Sequence, residues 1–336
     1  MSKLRWGVLG VAKIATAKVI PSMQAGELTE ITAIASRDRS KAEAAARELG
    51  IPRAYGSYEE LLRDPEIDAI YNPLPNHLHV PWSIRAADAG KHVLCEKPIA
   101  MSVPETRELI AARDRTGVTI GEAFMVQVHP QWERAVELAR GGQIGTLRAV
   151  TGNFGYFNPD PRNIRNVPEY GGGGLMDIGC YPIKTSRMIF GEEPRRVAGV
   201  MVRDPAMGTD MLTSAVLEYP SGQCVFTCST QMVPSQSLQV FGTTGRIQFE
   251  IPFNAVPGRV ARIWIDDGSD ITGANRRIEE FAPCDQYTLQ GDRFSQAVLK
   301  HTAPPVPLED SLANMAVIEA IVRASASGRW EEPRYE

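Results

Sequence analysis

Cys95-Glu96-Lys97-Pro98 follows an apolar, β-type run, His92-Val93-Leu94, and precedes a new helical pattern. A lysine at the end of a buried strand is costly unless its ammonium gains a partner or its pKa falls, and both arrangements are common where chemistry is done. The following proline holds Lys97 extended, so it cannot simply continue into a helix. The tetrapeptide alone also fits a strand-end lysine that reaches solvent. A second pair, Asp177 and Tyr181, follows Gly171-Gly-Gly-Gly174. Four residues apart on a helix, the two share one face, and the glycines let the backbone fold tightly beside a ligand. Tyr181 also fits a core aromatic, and Asp177 a plain helix N-cap.

Three other stretches have the make-up of a nucleotide site. Gly10-x-Ala12-x-x-Ala15 stands between a strand and a helix, where backbone N–H groups and the helix dipole receive a pyrophosphate. It holds one of the two turn glycines of G-x-G-x-x-G/A, so a plain alanine turn fits the tripeptide as well. The second strand ends in Ser36-Arg37-Asp38-Arg39. An acidic residue at that strand end would accept from a ribose 2′-OH. Ser36 and Arg37 suit a 2′-phosphate, which favours NADP and leaves NAD as a second option through Asp38. Ser36 capping a turn and Arg37 pairing with Asp38 is the bland alternative. In Tyr71-Asn72-Pro73-Leu74-Pro75-Asn76-His77-Leu78-His79, two prolines stiffen a loop at the carboxyl end of the sheet. Asn72, Asn76 and His79 bring hydrogen-bonding groups there, although His79 also fits a helix cap.

The elements that must position these residues alternate. Strands are expected at 4–9, 31–35, 67–71, 91–94 and 118–121, with helices from the Gly10 turn to about 23 and at 40–49, 58–62, 79–89 and 103–115. That pattern gives a parallel sheet covered on both faces. After about residue 122 and one helix at 130–140, strands dominate: 147–156, 196–203, 213–219, 223–231, 237–241, 246–250 and 259–265. Turns at 219–223 and 242–245 make this a mostly antiparallel open sheet, interrupted by a helix at 177–190. Helices at about 287–299 and 310–324 close the chain. The expected fold class is therefore α/β: a Rossmann domain over residues 1–122, then an α+β open-sheet domain over 123–336.

With 336 residues, 43% apolar and 23% charged, the chain has ample core for two domains. A net charge of −4 without a basic block argues against nucleic acid as partner. No apolar run approaches the ~20 residues of a membrane span, and the N-terminus shows no signal-peptide pattern, so a cytoplasmic protein without membrane attachment is expected. Five scattered cysteines read as reduced, mostly buried thiols, and no metal site is expected.

In order and spacing, Gly10-x-Ala12-x-x-Ala15, Asn72-Pro73-x-x-Asn76-x-x-His79, Glu96-Lys97-Pro98 and Gly121-Glu122-Ala123 resemble the Gfo/Idh/MocA family, over nearly the whole chain. The family is named for glucose–fructose oxidoreductase, inositol dehydrogenase and a rhizopine-catabolism protein. Tyr181 stands where many members carry histidine. That departure resembles the branch of glucose–fructose oxidoreductase, dimeric dihydrodiol dehydrogenase and NADP-dependent xylose dehydrogenase. The resemblance implies a nicotinamide-dependent oxidoreductase acting on a carbohydrate or diol, with Tyr181 as proton-transfer group and Lys97 and Asp177 beside it. It implies cofactor contacts at Gly10, Ala12, Lys13, Ile14, Ser36, Arg37, Lys41, Asn72, Pro73, Leu74, Asn76, His79, Glu96, Lys97 and Gln127, the last standing where relatives carry arginine. Substrate contacts are expected from Lys97, Asp177, Tyr181 and the loop residues Arg162 and Asn163. The expected reaction is oxidation of an aldopyranose at C1 to its lactone. Rivals are a trans-dihydrodiol or cyclitol substrate, hydride passage between two sugars on retained NADP, and a non-catalytic NADP-binding sensor. The resemblance also implies a homodimer or homotetramer through the second sheet, and a last helix packed on the first domain.

Overall fold

The computed structural model describes residues 2–336. The chain forms two compact units, Met1–Val128 with Asp285–Leu312 and His129–Cys284 with Ala313–Glu336. The first is built on six parallel strands: β1 (Leu4–Leu9), β2 (Thr29–Ala35), β3 (Arg53–Tyr55), β4 (Ala69–Asn72), β5 (His92–Glu96) and β6 (Ile120–Ala123). Their order is β3-β2-β1-β4-β5-β6. The order reverses between β1 and β4, and doubly wound sheets bind ligands outside the carboxyl ends of the strands at that point. Ala33, Ile34, Ala35, Ile70, Tyr71 and Val93 are wholly buried, as strands covered on both faces require.

Five helices belong to these crossovers: α1 (Ile20–Gln24), entered through a π-type turn at Ala15–Val19, α2 (Arg39–Leu49), α3 (Tyr58–Leu62), α4 (His79–Asp88) and α5 (Val103–Thr116). The Ser57 and Ser102 side chains cap α3 and α5 by accepting the N–H groups of Glu60 and Glu105.

The second unit holds an eight-stranded sheet: β7 (Leu147–Phe157), β8 (Arg196–Arg203), β9 (Asp210–Glu218), β10 (Gln223–Ser229), β11 (Gln231–Gly242), β12 (Arg246–Phe249), β13 (Ala261–Asp266) and β14 (Arg277–Phe281). The order is β14-β13-β12-β11-β7-β10-β9-β8, antiparallel except for β7 beside β10. Helices α6 (Pro130–Arg140) and α7 (Cys180–Phe190) belong to this unit. Gly199 of β8 lies close against Ile321. Val200, Val202, Leu212 and Val225, which the strand register puts on the opposite face, are exposed. At the outer edge, the Val197 N–H donates to Glu331 O at 2.8 Å and the Glu331 N–H returns to Val197 O at 2.9 Å.

Helix α8 (Gln286–Leu299) belongs to the first unit, whereas the sequence reading places it in the second domain. Its reason is packing. Phe294 meets Trp6 with ring centroids 5.4 Å apart, and Trp6 Nε1 donates to Ser295 Oγ at 3.2 Å. Asp292 accepts from the N–H groups of Glu27 and Leu28. Helix α9 (Leu308–Ser327) starts in the first unit and ends in the second. Among the described residues, no helix is long and apolar enough to cross a membrane.

Candidate active site

In the first unit, the expected cofactor residues gather at the carboxyl ends of neighbouring strands. Gly10 follows β1 with φ +83°, and a Cβ there would come within 3.0 Å of the Leu74 side chain. Glycine thus lets the loop after β4 close over the turn after β1. Ala12, Lys13 and Ile14 follow as the start of the helix, whose first N–H groups have no partner within a helix. Ser36 is buried beyond β2, and its Oγ accepts the Asp38 N–H at 3.2 Å. Burial pushes the Tyr58 phenol up, and the nearby Arg37 guanidinium opposes the rise. Asp38 is taken up by α2. Its Oδ1 accepts the Ser40 N–H at 3.0 Å and the Ser40 hydroxyl at 2.6 Å, contacts that hold its pKa below the usual range. Lys41 Nζ lies 3.9 Å from Asp38 on the same helix turn.

Asn72 and His79 do not present their side chains to a ligand. Asn72 is wholly buried, donating to His79 O and Ser83 Oγ and accepting from the Leu74 N–H. His79 Nδ1 lies 2.8 Å from Pro98 O and Nε2 2.6 Å from Leu74 O. Burial pushes its pKa down to about 4, so the neutral ring donates to one of the two carbonyls. These residues support the site from behind. Asn76 starts a short 3-10 turn beside Pro73 and Leu74. Gln127 lies past β6, with Oε1 buried and without a hydrogen-bond partner among the described residues. A glycine cradle, an open helix start, Ser36 with Arg37, and this orphaned acceptor together fit a dinucleotide.

Lys97 is bracketed by ties from different elements. Before it, Tyr71 Oη donates to Glu96 Oε1 at 2.7 Å. After a cis Lys97–Pro98 bond, Pro98 O meets His79 and the Ile99 N–H donates to Glu122 Oε1 at 3.0 Å. The Tyr287 phenol on α8 is pushed up by burial and by Glu96, with Lys97 opposing. Tyr71 and Tyr287 are missed from sequence, since one reads as core and the other lies far along the chain.

In the second unit, the helix carrying Tyr181 begins earlier than expected, at Leu175, and Leu175–Gly179 wind as a π-type turn before α7. Such turns gather at functional sites. Asp177 lies within this turn, not at a cap. Its Oδ2 accepts from Tyr156 Oη at 2.6 Å, and its Oδ1 lies 3.1 Å from Arg165 Nε. Tyr181 is 5% exposed, its ring packed against the stacked pair Phe154 and Phe253 with both centroids 5.4 Å away. Of the loop residues, Arg162 is turned outward and paired with Asp160 at 3.0 Å, because a carboxylate two residues back matches its fork. Asn163 spends its side chain on the Arg165 N–H. The structure thus joins Arg165 and Tyr156 to Asp177, leaves Arg162 out of that network, and ties Asn163 to it only through the Arg165 backbone. Tyr156 is missed from sequence because it reads as one more strand aromatic.

Comparison with known proteins agrees with the fold. Residues 4–124 match the model of the oxidoreductase family with an NAD-binding Rossmann fold, and residues 132–248 match the GFO/IDH/MocA C-terminal domain. An uncharacterized oxidoreductase of Rhizobium meliloti is 49% identical, over 98% of this chain and 99% of its own length. D-xylose 1-dehydrogenase (NADP(+)) 2 of Haloferax volcanii is 41% identical, over 97% and 98%. Among solved structures, the aldose-aldose oxidoreductase of Caulobacter crescentus superposes with a TM-score of 0.90 at 29% identity, covering 98% of this chain and 99% of that one.

Proposed function

Since the chain belongs to the GFO/IDH/MocA oxidoreductase family, we propose that it is an NADP-dependent dehydrogenase oxidising an aldopyranose of the xylose or glucose type at C1 to its lactone. The observation that carries the cofactor choice is the end of β2. There Asp38 is committed to the α2 cap, which leaves Ser36 and Arg37 for a 2′-phosphate. The substrate class is supported by the NADP-linked xylose enzyme, which matches nearly the whole of both chains. A second copy of the chain docks on the face of the eight-stranded sheet that exposes Val200 and Val225.

NADP, when bound, supplies the hydride acceptor. The sugar hydroxyl must lose its proton as the hydride leaves. Tyr181 takes that proton, and in the reducing direction gives it back. A phenol is a poor base at neutral pH, with a reference pKa of ~10. A neighbouring ammonium lowers that value, and we assign this role to Lys97. The cofactor set Gly10, Ala12, Lys13, Ile14, Ser36, Arg37, Lys41, Pro73, Leu74, Asn76, Glu96 and Gln127 binds through backbone and side chain. Asn72 and His79 act behind it. Asp177, with Arg165 and Tyr156, offers the sugar a polar wall. The sugar-to-sugar alternative is favoured by the likeness to the aldose-aldose oxidoreductase.

The test follows NAD(P)H absorbance with the purified protein, aldoses and diols, and each cofactor in turn. NADP reduction by an aldopyranose is expected. Tyr181→Phe should lose ~10²–10⁴ in kcat with NADP affinity unchanged. Wild-type turnover in that variant would remove Tyr181 from the mechanism. Absence of net reduction, with NADP released only on denaturation, would favour sugar-to-sugar transfer instead.

A further inference from the structure

Asp210 opens β9 and lies in none of the motifs used above. It is 5% exposed. Its Oδ2 accepts the Leu175 N–H at 2.7 Å and the Thr213 hydroxyl at 3.0 Å. Its Oδ1 occupies the space beside Gly173, where a Cβ would fall 2.0 Å away, and Gly173 has φ +126°. Within the glycine run before the helix, Gly173 is therefore explained by this carboxylate. Glycine lets it reach the first turn of the segment carrying Asp177 and Tyr181. A carboxylate at a helix start gains from the unpaired N–H groups and the dipole, and its hydrogen bonds there are charge-assisted.

We propose that Asp210 is a positioning residue: its carboxylate fixes the start of the Leu175–Phe190 helix, and a proton on it loosens that start and lowers turnover. The effect on turnover rests on the reading of Tyr181 given above, while the effect on the helix does not. Burial raises the Asp210 pKa to about 6, against the pull of Leu175, Thr213 and Arg203. The titratable and charged groups facing it are Arg203 on β8 and Cys228 on β10. The Cys228 thiol, itself pushed well up by burial, also feels Cys180 and Asp177. Asp177 is held by Arg165 and Tyr156.

Amide hydrogen exchange of the full chain, read by mass spectrometry over the Leu175–Tyr181 peptide and corrected for the intrinsic rate, tests this from about pH 5 to about pH 7.5. Opening of the first turn alone leaves Asp210 buried and breaks only a bond that favours its ionised form, so protection in the wild type should fall about tenfold toward the acid end, and Asp210→Asn should show low protection throughout. Thr213→Val keeps the carboxylate but removes a bond to its ionised form, so the midpoint should move up by about half a pH unit or more. Wild-type protection that ignores pH, an Asn variant that follows the wild type, or an unmoved Thr213→Val midpoint would each overturn the proposal. With the aldopyranose assay, the acid limb of kcat should share that midpoint and vanish in Asp210→Asn; a limb kept in the variant overturns the role in turnover. If no sugar turns over, the exchange result still decides the helix claim, and the failure falls on the functional reading.

Discussion

At the end of β2, Asp38 is bound to Ser40 while the Arg37 guanidinium lies near the Tyr58 phenol. The two side chains therefore differ in what they can offer a nucleotide. Arg37→Ala should raise the KM for NADP about 10–100-fold, the worth of a charge-assisted bond to phosphate, while the KM for NAD moves by less than about threefold. Equal losses with both cofactors, measured by initial rates, would remove Arg37 from 2′-phosphate recognition. The polarity of this residue was legible in the sequence, as was the run Glu96-Lys97-Pro98. The roles of Asn72 and His79 were not. Both are polar groups in a ligand-facing loop, and only their burial and internal partners show that they brace the Pro98 carbonyl and the Leu74 turn.

Two helix starts in the second unit carry titratable groups whose shares of global stability depend on protons in opposite senses. His129 Nδ1 accepts the Gln131 N–H at 3.2 Å and so caps α6. An accepting nitrogen carries no proton, and burial accordingly pushes the His129 pKa down to about 4. The unfolded chain takes up this proton near ~6.5. The stability contributed by His129 is therefore complete above ~6.5 and is lost as pH falls toward 4, by about 3 kcal/mol at most. Against the unfolded chain, Asp210 runs the other way: burial raises its folded pKa, so its share of global stability is lost as pH rises through about 6, whereas its bonds to Leu175 and Thr213, which hold the helix start locally, favour the ionised form. Asn caps a helix without titrating. The stability gap between wild type and His129→Asn, from urea midpoints, should thus shrink as pH drops from ~6.5 to ~4. Parallel curves would show that the ring does not titrate as a cap. Most elements were legible from periodicity and turn residues. β3 escaped because three residues hold no alternation, and β14 because three of the five residues in Arg277-Ile-Glu-Glu-Phe281 are charged. The π-type turn at 175–179 looks like any helix start in sequence, since the widening is set by what packs against it.

At the scale of the whole molecule, sequence order and spatial grouping part company. Helix α8 joins the first unit through Trp6–Phe294, a pairing that no local pattern announces. The open face of the second sheet carries Val200 at 69% and Val225 at 44% exposure, apolar residues on a surface that needs a reason to stay apolar. If a second copy covers it, Val225→Lys should shift sedimentation from dimer or tetramer toward monomer at micromolar concentration. An unchanged sedimentation coefficient would move the interface elsewhere. The outer border of that sheet tells a different story. The peptide groups of Val197 on β8 are occupied by Glu331, and Arg196 lies over the Trp330 ring at 4.7 Å. A bare strand border is a template on which foreign β-segments grow. The last few residues thus act as a guard against seeding, and a chain ending before Trp330 would suffer first in its solubility on storage, with its chemistry intact.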